Sequence, residues 1–241
     1  MKKMIATFLA FALILQSGAF ASAKNYEDEN MSPTVEVEEL NGVRTAVSSD
    51  DYAEYTISFD KNEMSLSITV KDLSTGTENS TTVHANDIKQ TPQTRASSSI
   101  YTTSLYAYRR TKTSTGTEWY LQRPKIGNEG KGSYYFKCWQ NASNGTKLTL
   151  FRNAVETLSE REAALAGAAG AQAASLFITG ILGLLISAGT AGLAATAIGA
   201  LISSLALTGP SVSAARAVSL QCNTCFERIE DVYYATDNMH F

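Results

Sequence analysis

The sequence predicts an α+β fold: an N-terminal antiparallel β sandwich or small barrel, followed by a C-terminal helical region with a hydrophobic helical hairpin. Residues 51–151 contain short segments in which apolar and polar residues alternate, separated by turn-forming residues. From residue 152 onward, the chain is rich in Ala, Leu, Glu and Arg, which favour helices. Within this second region, the 53 residues from 163 to 215 include no Asp, Glu, Lys, Arg or His.

The first 23 residues have the pattern of a secretory signal peptide. Two lysines precede an apolar stretch, and Ala21-Ser22-Ala23 matches the small-x-small pattern that precedes cleavage. Cleavage before Lys24 would leave 218 of the 241 residues. The sequence therefore predicts a secreted, extracellular protein.

Residues 24–50 are polar and acidic, with little apolar periodicity. This composition predicts a flexible N-terminal segment, because a chain with few apolar residues cannot bury enough surface to fold. An edge strand around Val35 and Val37 is the alternative, and the sequence leaves the choice open.

The β region, residues 51–151, begins with a pattern typical of an antiparallel hairpin. Apolar residues alternate with Ser and Thr at 55–59 and again at 64–70, on either side of Asp60-Lys61-Asn62-Glu63. The pentapeptide STGTE occurs at 74–78 and at 114–118, and both copies are predicted to be hairpin loops. Asn144-Gly145 predicts a third hairpin turn, joining strands at 134–140 and 147–151. About seven strands are expected in all.

The helical region, residues 152–241, contains the predicted hydrophobic hairpin at 165–208. A helix needs about 20 residues to cross the hydrocarbon core of a bilayer, so 53 uncharged residues are too many for one span and fit two. The arms are expected at 165–187 and 191–208, with the turn at 187–192. Gly209-Pro210 ends the second arm, and an amphipathic helix is expected at 212–233.

The hairpin supplies the predicted functional residues. Large apolar side chains are expected to enter the membrane, namely Leu176, Phe177, Ile181, Leu184, Leu185, Leu193, Ile198, Leu201 and Leu205. Glycines are expected to form the turn and to allow close helix packing, namely Gly180, Gly183, Gly189, Gly192 and Gly199. Because Ala, Gly, Ser and Thr make up over half of the uncharged run, conditional insertion is favoured over a permanent anchor. A helical pair that stays in a soluble core is the alternative.

Residues 153–235 resemble the hydrophobic hairpin of colicin-type pore-forming domains, in which amphipathic helices flank two uncharged helices rich in Ala, Gly and Leu. Fewer amphipathic helices are present here than in that domain. The whole layout also resembles geobacillin-type large secreted bacteriocins, with a signal peptide, a polar middle rich in Tyr and Thr, and an apolar C-terminal part rich in Gly and Ala. This second resemblance carries over no functional residues; it implies that the protein inhibits competing bacteria.

The cysteines are Cys138, Cys222 and Cys225. In an exported chain they predict one disulfide, from Cys138 to either Cys222 or Cys225, with one thiol left over. The C-x-x-C spacing also occurs in redox and zinc sites, but a βαβ pattern or a second ligand pair is missing from the sequence. The histidines, His84 and His240, belong to no catalytic motif. The sequence therefore predicts a protein that is not an enzyme and needs no metal or cofactor.

Charge is distributed unevenly along the chain, whose net charge is −3. Residues 27–63 are strongly acidic, whereas residues 101–137 are basic and aromatic. The basic stretch suits contact with anionic lipid headgroups or a cell-wall glycan, or is one face of ordinary half-buried strands. Nucleic acid is not an expected partner, because the chain as a whole is acidic.

These patterns lead to two functional hypotheses. In the first, the protein is a secreted antibacterial protein that acts on target-cell membranes through the hairpin, which can oligomerise there. Its expected partners are the target-cell membrane and also a surface receptor or an immunity protein. In the second, it is a non-catalytic secreted or surface-associated binding protein whose hairpin is an anchor or oligomerisation element.

Overall fold

Two antiparallel sheets and four helices make up the described part of the chain, in a computed structural model that describes residues 34–85, 100–129, 133–189, 192–236 and 239–240. The α+β class is confirmed, and most of the strands precede the helices in the sequence. The predicted signal peptide, residues 1–23, lies outside the described residues.

The first sheet, sheet A, is a meander in which each strand pairs with the next. Its strands are β1 (Glu36–Leu40), β2 (Val43–Ser49), β3 (Ala53–Asp60), β4 (Ser65–Asp72) and β5 (Glu78–His84). The hairpin predicted from alternating residues is confirmed as β3 and β4, with Ile57 opposite Ile68. Both of these side chains are fully buried, which is the outcome that period-2 alternation predicts for one covered face.

The N-terminal acidic segment is not flexible throughout, because residues 36–49 form β1 and β2. The edge-strand alternative is the one found in the structure, since β1 pairs only with β2 at the border of sheet A. Sequence periodicity missed β2 because its covered face holds small side chains, Ala46 and Ser48, rather than large apolar ones. Pairing with β3 over seven residues holds β2 in place.

The second sheet, sheet B, has the order β10-β9-β8-β7-β6. Its strands are β6 (Tyr101–Thr102), β7 (Ala107–Thr113), β8 (Gly116–Pro124), β9 (Ser133–Trp139) and β10 (Met239–His240). Both STGTE segments lie at hairpins, as predicted: the first joins β4 to β5 and the second joins β7 to β8. In the first loop, Asp72 Oδ1 accepts hydrogen bonds from the backbone of Ser74 and Thr75, and Gly76 has a φ of +71°.

The helices are α1 (Gly145–Ala169), α2 (Ala171–Ala188), α3 (Ala195–Ser204) and α4 (Pro210–Tyr234). The amphipathic helix expected at 212–233 is α4. Pro210 occupies its first turn, where the missing N–H of proline has no cost.

The predicted hairpin turn at Asn144-Gly145 and the strand at 147–151 are wrong, because α1 begins at Gly145 and runs through both. The buried Asn144 side chain accepts a hydrogen bond from the Asn141 N–H at 2.8 Å and donates one to the Trp139 carbonyl at 2.9 Å. These bonds turn the chain out of β9 and into the helix. Leu148 and Phe151, three residues apart, are both fully buried, as on one helical face.

Helices and sheets pack in two layers around one continuous core. Helices α2 and α3 cover sheet A: α2 packs on β4 and β5, and α3 packs on β2 and β3. Helices α1 and α4 pack on each other and cover the face of sheet B that carries Trp119, Leu121 and Phe136. The uncharged helices α2 and α3 and the charged helices α1 and α4 therefore lie over different sheets.

Candidate functional site

The predicted insertion residues come together on sheet A, within a segment that we call the uncharged unit: α2, α3 and their connections, residues 171–208. Eight of the nine predicted residues are 0–3% exposed and Leu205 is half-buried. Sheet A and the two helices therefore hide this apolar surface from water.

Helix α2 approaches sheet A closely at Gly183. A Cβ atom at this position would lie 2.4 Å from Ile68 Cδ1 and 3.4 Å from Val83 Cγ2. Since real Cβ atoms do not approach other atoms to 2.4 Å, the contact requires glycine unless Ile68 moves. Gly183 therefore allows α2 to pack closely on sheet A, rather than on the second arm of the hairpin.

The two arms of the hairpin meet at Gly180. A Cβ atom there would lie 2.4 Å from Leu201 Cδ1 of α3, so the glycine makes room for a leucine of the other arm. Gly192 and Gly199 are half-buried, in the connection and in α3.

The turn of the hairpin is held against sheet B. Gly189 ends α2 in the left-handed conformation, with a φ of +64°, as a helix-ending glycine commonly does. A Cβ atom on Gly127, in the 3-10 turn after β8, would lie 2.9 Å from Gly189 Cα. The backbones of the two layers thus touch at a pair of glycines.

Two glycines with left-handed backbone bound the uncharged unit. Gly170 separates α1 from α2 with a φ of +85°, and Gly209 precedes α4 with a φ of +56°. A Cβ atom at either position would meet nothing within 4 Å. The first arm therefore begins at residue 171 rather than at 165, and residues 165–169 belong to α1.

Polar contacts fasten the unit at its rim. Thr196 Oγ1 donates to Asp50 Oδ2 at 2.7 Å, and Arg44 Nε donates to the Ser203 carbonyl at 2.8 Å. The Leu193 N–H donates to Asn223 Oδ1 of α4 at 3.0 Å. Ser175 Oγ also donates to the Ala85 carbonyl at 3.2 Å, and most of the remaining interface between the unit and sheet A is apolar.

Glu162, the last charged residue before the uncharged run, is buried in α1. Its carboxylate accepts hydrogen bonds from the Ser104 N–H at 3.2 Å and from Ser104 Oγ at 3.1 Å. Burial raises the pKa of Glu162 to about 7, against the lowering effect of these bonds. The burial of Glu162 could have been predicted from the sequence, because this residue lies on the apolar face of α1, four residues after Leu158 and three before Leu165.

Buried Arg123 forms an ionic cluster with two partly exposed glutamates, between sheet B and α4. It donates to both carboxylate oxygens of Glu129, at 2.8 and 3.0 Å, and lies 3.9 Å from Glu230. The guanidinium carbon is 4.7 Å from the centre of the Tyr134 ring. Sequence reasoning missed this cluster because Glu230 is distant in the chain and alternation along β8 predicts an apolar residue at position 123.

The three cysteines are free and buried, so the predicted disulfide is not formed in the structure. Cys138 lies in hydrogen-bonding contact with Thr236, just after α4 ends, whereas Cys222 lies 14 residues earlier in the chain. That separation is roughly 20 Å along a helix, beyond the approximate 7 Å limit between bridged Cα atoms. Burial raises the pKa of Cys138 to about 11 and also raises those of Cys222 and Cys225.

Within the described ranges, no group of three or more His, Cys, Asp and Glu residues could hold a metal ion. In the same part of the chain, α2 is the helix long and apolar enough to cross a membrane, with a mean hydropathy of 1.8 and 67% of the span buried. Helices of this composition occur in bilayers and in the cores of soluble proteins. No protein-family model, curated protein or solved structure shows a significant match to this chain.

Proposed function

We propose that this is a secreted antibacterial protein that acts on target-cell membranes by conditional insertion of the uncharged unit. The observation that carries the proposal is that α2, an 18-residue uncharged helix, packs against sheet A. It does so in a segment that two glycines with positive φ, Gly170 and Gly209, bound. At 1.5 Å per residue, α2 is about 27 Å long, close to the thickness of the hydrocarbon core.

The energetics of the unit support a conditional change of environment. Its contact with sheet A is mainly apolar, and a bilayer can replace such contacts because they have no fixed direction. Its many small residues make transfer to lipid only mildly favourable. The packed and inserted states are therefore expected to be close enough in free energy that contact with a target membrane shifts the population toward the inserted state.

The boundaries of the unit support a route for its release. Gly170 and Gly209 are exposed and have no packed neighbours around the position of a Cβ atom, so rotation of their backbone would break hydrogen bonds at the helix ends but displace no core side chain. Helices α1 and α4, which lie outside these two positions, pack on each other and on sheet B. Release of the unit would break its contacts with α1, the Leu193–Asn223 hydrogen bond and the Gly127–Gly189 contact, and would leave the contacts among α1, α4 and sheet B in place.

An introduced disulfide between α3 and sheet A, which locks the unit in place until it is reduced, tests this mechanism. Thr196 and Asp50 touch through their side-chain oxygens, so Asp50→Cys combined with Thr196→Cys places two thiols in reach of each other. The measurement is dye release from phosphatidylglycerol-containing liposomes, before and after reduction. We expect the oxidised protein to lose most of its activity and the reduced protein to regain it.

The matched control is a lock within sheet A that leaves the unit free. Thr69 and Ser80 lie opposite each other on β4 and β5 with side-chain oxygens 2.8 Å apart, so Thr69→Cys with Ser80→Cys makes a comparable bridge. This pair should release dye in both redox states. Equal dye release from the oxidised and reduced Asp50–Thr196 pair would exclude insertion of the unit.

Assays on cells test the biological part of the proposal. The purified protein should inhibit growth of related bacteria, and the oxidised Asp50–Thr196 lock should abolish that inhibition. Fractionation of the producing culture should place the protein in the medium. Retention in the producer's own membrane would instead favour the anchor hypothesis.

A further inference from the structure

The outer face of sheet B combines basic and aromatic side chains in a regular array. Its members, which we call the aromatic–basic face, are Arg109 on β7, Tyr120 and Gln122 on β8, and Tyr135 and Lys137 on β9. Strand alternation places them opposite Trp119, Leu121 and Phe136, which point toward α1 and α4. The five side chains are half-buried or exposed.

The register of the strands sets the spacing of the two cations. Arg109 pairs with Tyr120, which pairs in turn with Lys137, so the three form one row across the sheet. Adjacent strands lie about 4.8 Å apart, which separates the backbones at Arg109 and Lys137 by about 10 Å. A tyrosine ring therefore lies between two positive groups.

The side chains of Arg109, Tyr120 and Tyr135 form a stack, in which Tyr135 is the more exposed ring, 48% exposed. Tyr120 and Tyr135 stack with their centroids 5.6 Å apart and their planes 26° from parallel, and the Arg109 guanidinium carbon lies 5.6 Å from the Tyr120 centroid. The Tyr120 hydroxyl donates to Gln122 Oε1 at 2.9 Å, which fixes the position of both groups. The Gln122 amide in turn donates to Ser133 Oγ at 2.9 Å.

This face carries more positive than negative charge. No carboxylate in the described part of the chain lies within ion-pair distance of Arg109 or Lys137. Glu118 lies on this face two residues before Tyr120 on β8, so the two cations Arg109 and Lys137 exceed it by one charge; Arg110 and Lys112 lie on the opposite face of β7. The face thus has a net positive charge, although the whole chain has a net charge of −3.

We infer that the aromatic–basic face binds an anionic glycan, a chain of sugars that carries carboxylate or phosphate groups. Sugar rings present flat C–H faces that pack on aromatic rings, and their hydroxyls can pair with Gln122 and the tyrosine hydroxyls. Arg109 and Lys137 would bind the negative groups. A glycan fits better than a membrane because the face is rich in hydrogen-bonding groups, and none of the five residues that define it is an apolar aliphatic one.

Binding to defined probes tests the inference. The probes are oligogalacturonate, a glycerol-phosphate-substituted glycan and neutral N-acetylglucosamine oligomers, with titration calorimetry as the measurement. Arg109→Gln with Lys137→Gln should weaken binding of both anionic probes by about tenfold or more, because two charge-assisted contacts are lost. Tyr135→Ala should weaken binding of all three probes, since it removes the more exposed ring of the stack.

The matched control removes the same charge from the same sheet at a different place. Arg110→Gln with Lys112→Gln changes the net charge equally, but these two exposed residues point to the opposite side of β7. This control should change the affinity by less than about threefold, as expected of charges that act only at a distance. Equal losses in the two double variants would reduce the site to nonspecific charge attraction and overturn the inference.

Two further probes separate the glycan from other anionic partners. Phosphatidylglycerol vesicles and a single-stranded oligonucleotide should bind more weakly than the anionic glycans at the same ionic strength. Tighter binding of either one, with the same sensitivity to the Arg109 and Lys137 changes, would contradict a glycan site. The inference does not rest on membrane insertion, because dye release from glycan-free liposomes measures that activity separately.

Discussion

The two helix–sheet layers are held together by different kinds of contact. In the sheet A layer, the helices carry no charged side chain, and close packing at Gly180 and Gly183 brings them onto their neighbours. In the sheet B layer, α1 and α4 bury ionisable groups, with Glu162 bonded to Ser104 and Arg123 bonded to Glu129. Apolar contacts have no fixed direction, whereas hydrogen-bonded ions need particular partners.

This difference implies which layer can change partners. If the uncharged unit leaves sheet A for another apolar environment, it gives up mainly contacts that the new environment can supply. If α1 and α4 leave sheet B, the Glu162 carboxyl and the Arg123 guanidinium lose specific hydrogen bonds. The same comparison predicts that adding a charge damages the first layer and that removing the Arg123 cation damages the second.

Adding a charge to the sheet A layer should have the largest effect. Gly183→Asp should lower the free energy of unfolding by about 3–5 kcal/mol, because the new carboxylate is buried without a partner and its Cβ collides with Ile68. Urea denaturation measures the change. The control is Gly167→Asp in α1, where a Cβ meets nothing within 4 Å and the change should be under about 1 kcal/mol. Similar losses in the two variants would contradict the packing described for Gly183.

Removing a charge from the sheet B layer should have the next largest effect. Arg123→Met should lower the free energy of unfolding by about 2–4 kcal/mol, because Glu129 and Glu230 lose the cation between them. Denaturation near pH 7 measures the loss. Arg152→Met breaks a more exposed ion pair with Glu156 and should change stability by less than about 0.5 kcal/mol. A small effect at Arg123 would mean that its burial costs as much as its contacts provide.

The buried carboxyl of Glu162 should make stability depend on pH near neutrality. Its pKa is about 7 in the folded protein, above the ordinary glutamate value of 4.5, so the folded state binds more protons between these values. Stability should therefore rise as the pH falls from 8 to 5, by about 2–3 kcal/mol relative to Glu162→Gln. Thermal or urea unfolding at several pH values measures the difference.

The control for this titration is Glu160→Gln, which changes an exposed residue two positions away on the same helix. It should follow the pH dependence of the wild type, whereas Glu162→Gln should be more stable than the wild type at pH 8 and similar at pH 5. Parallel curves for the wild type and Glu162→Gln would show that this carboxyl does not titrate near pH 7.

The smallest effects should come from the two glycines that bound the uncharged unit. Gly170→Ala and Gly209→Ala should each cost about 1 kcal/mol, because alanine is strained at their positive φ angles even where space is open. Gly167→Ala, at an exposed helical position, should instead stabilise the protein by up to about 1 kcal/mol. A gain in stability from either boundary variant would contradict the left-handed backbone described there.

The sequence was sufficient for features that repeat along the chain. Alternating large apolar residues identified β3 and β4, turn residues identified both STGTE loops, and three- and four-residue spacing identified α4. Features without a repeating pattern of large apolar residues were missed. The strand β2 has only small residues on its covered face, and the Asn144 side chain starts α1 through bonds that local propensity does not encode.

The candidate site was likewise predicted from the sequence only in part. The absence of charge over residues 163–215 located the uncharged unit from the sequence alone. The partner of Gly183 is in sheet A, more than 100 residues away in the chain, so spacing within the helix could not reveal it. The buried ions at Glu162 and Arg123 were missed because charged residues are usually exposed, and only the packed fold surrounds them with polar partners.

The buried thiols allow the opening of the two layers to be timed separately with a chemical label. Cys138, Cys222 and Cys225 all lie in the layer of sheet B and α4, and the uncharged unit has no cysteine. A small alkylating reagent reacts with a buried thiol only after the surrounding structure opens. Labelling therefore measures the lifetime of one layer, and a molecule that has released its uncharged helices should remain as unreactive as one that has not.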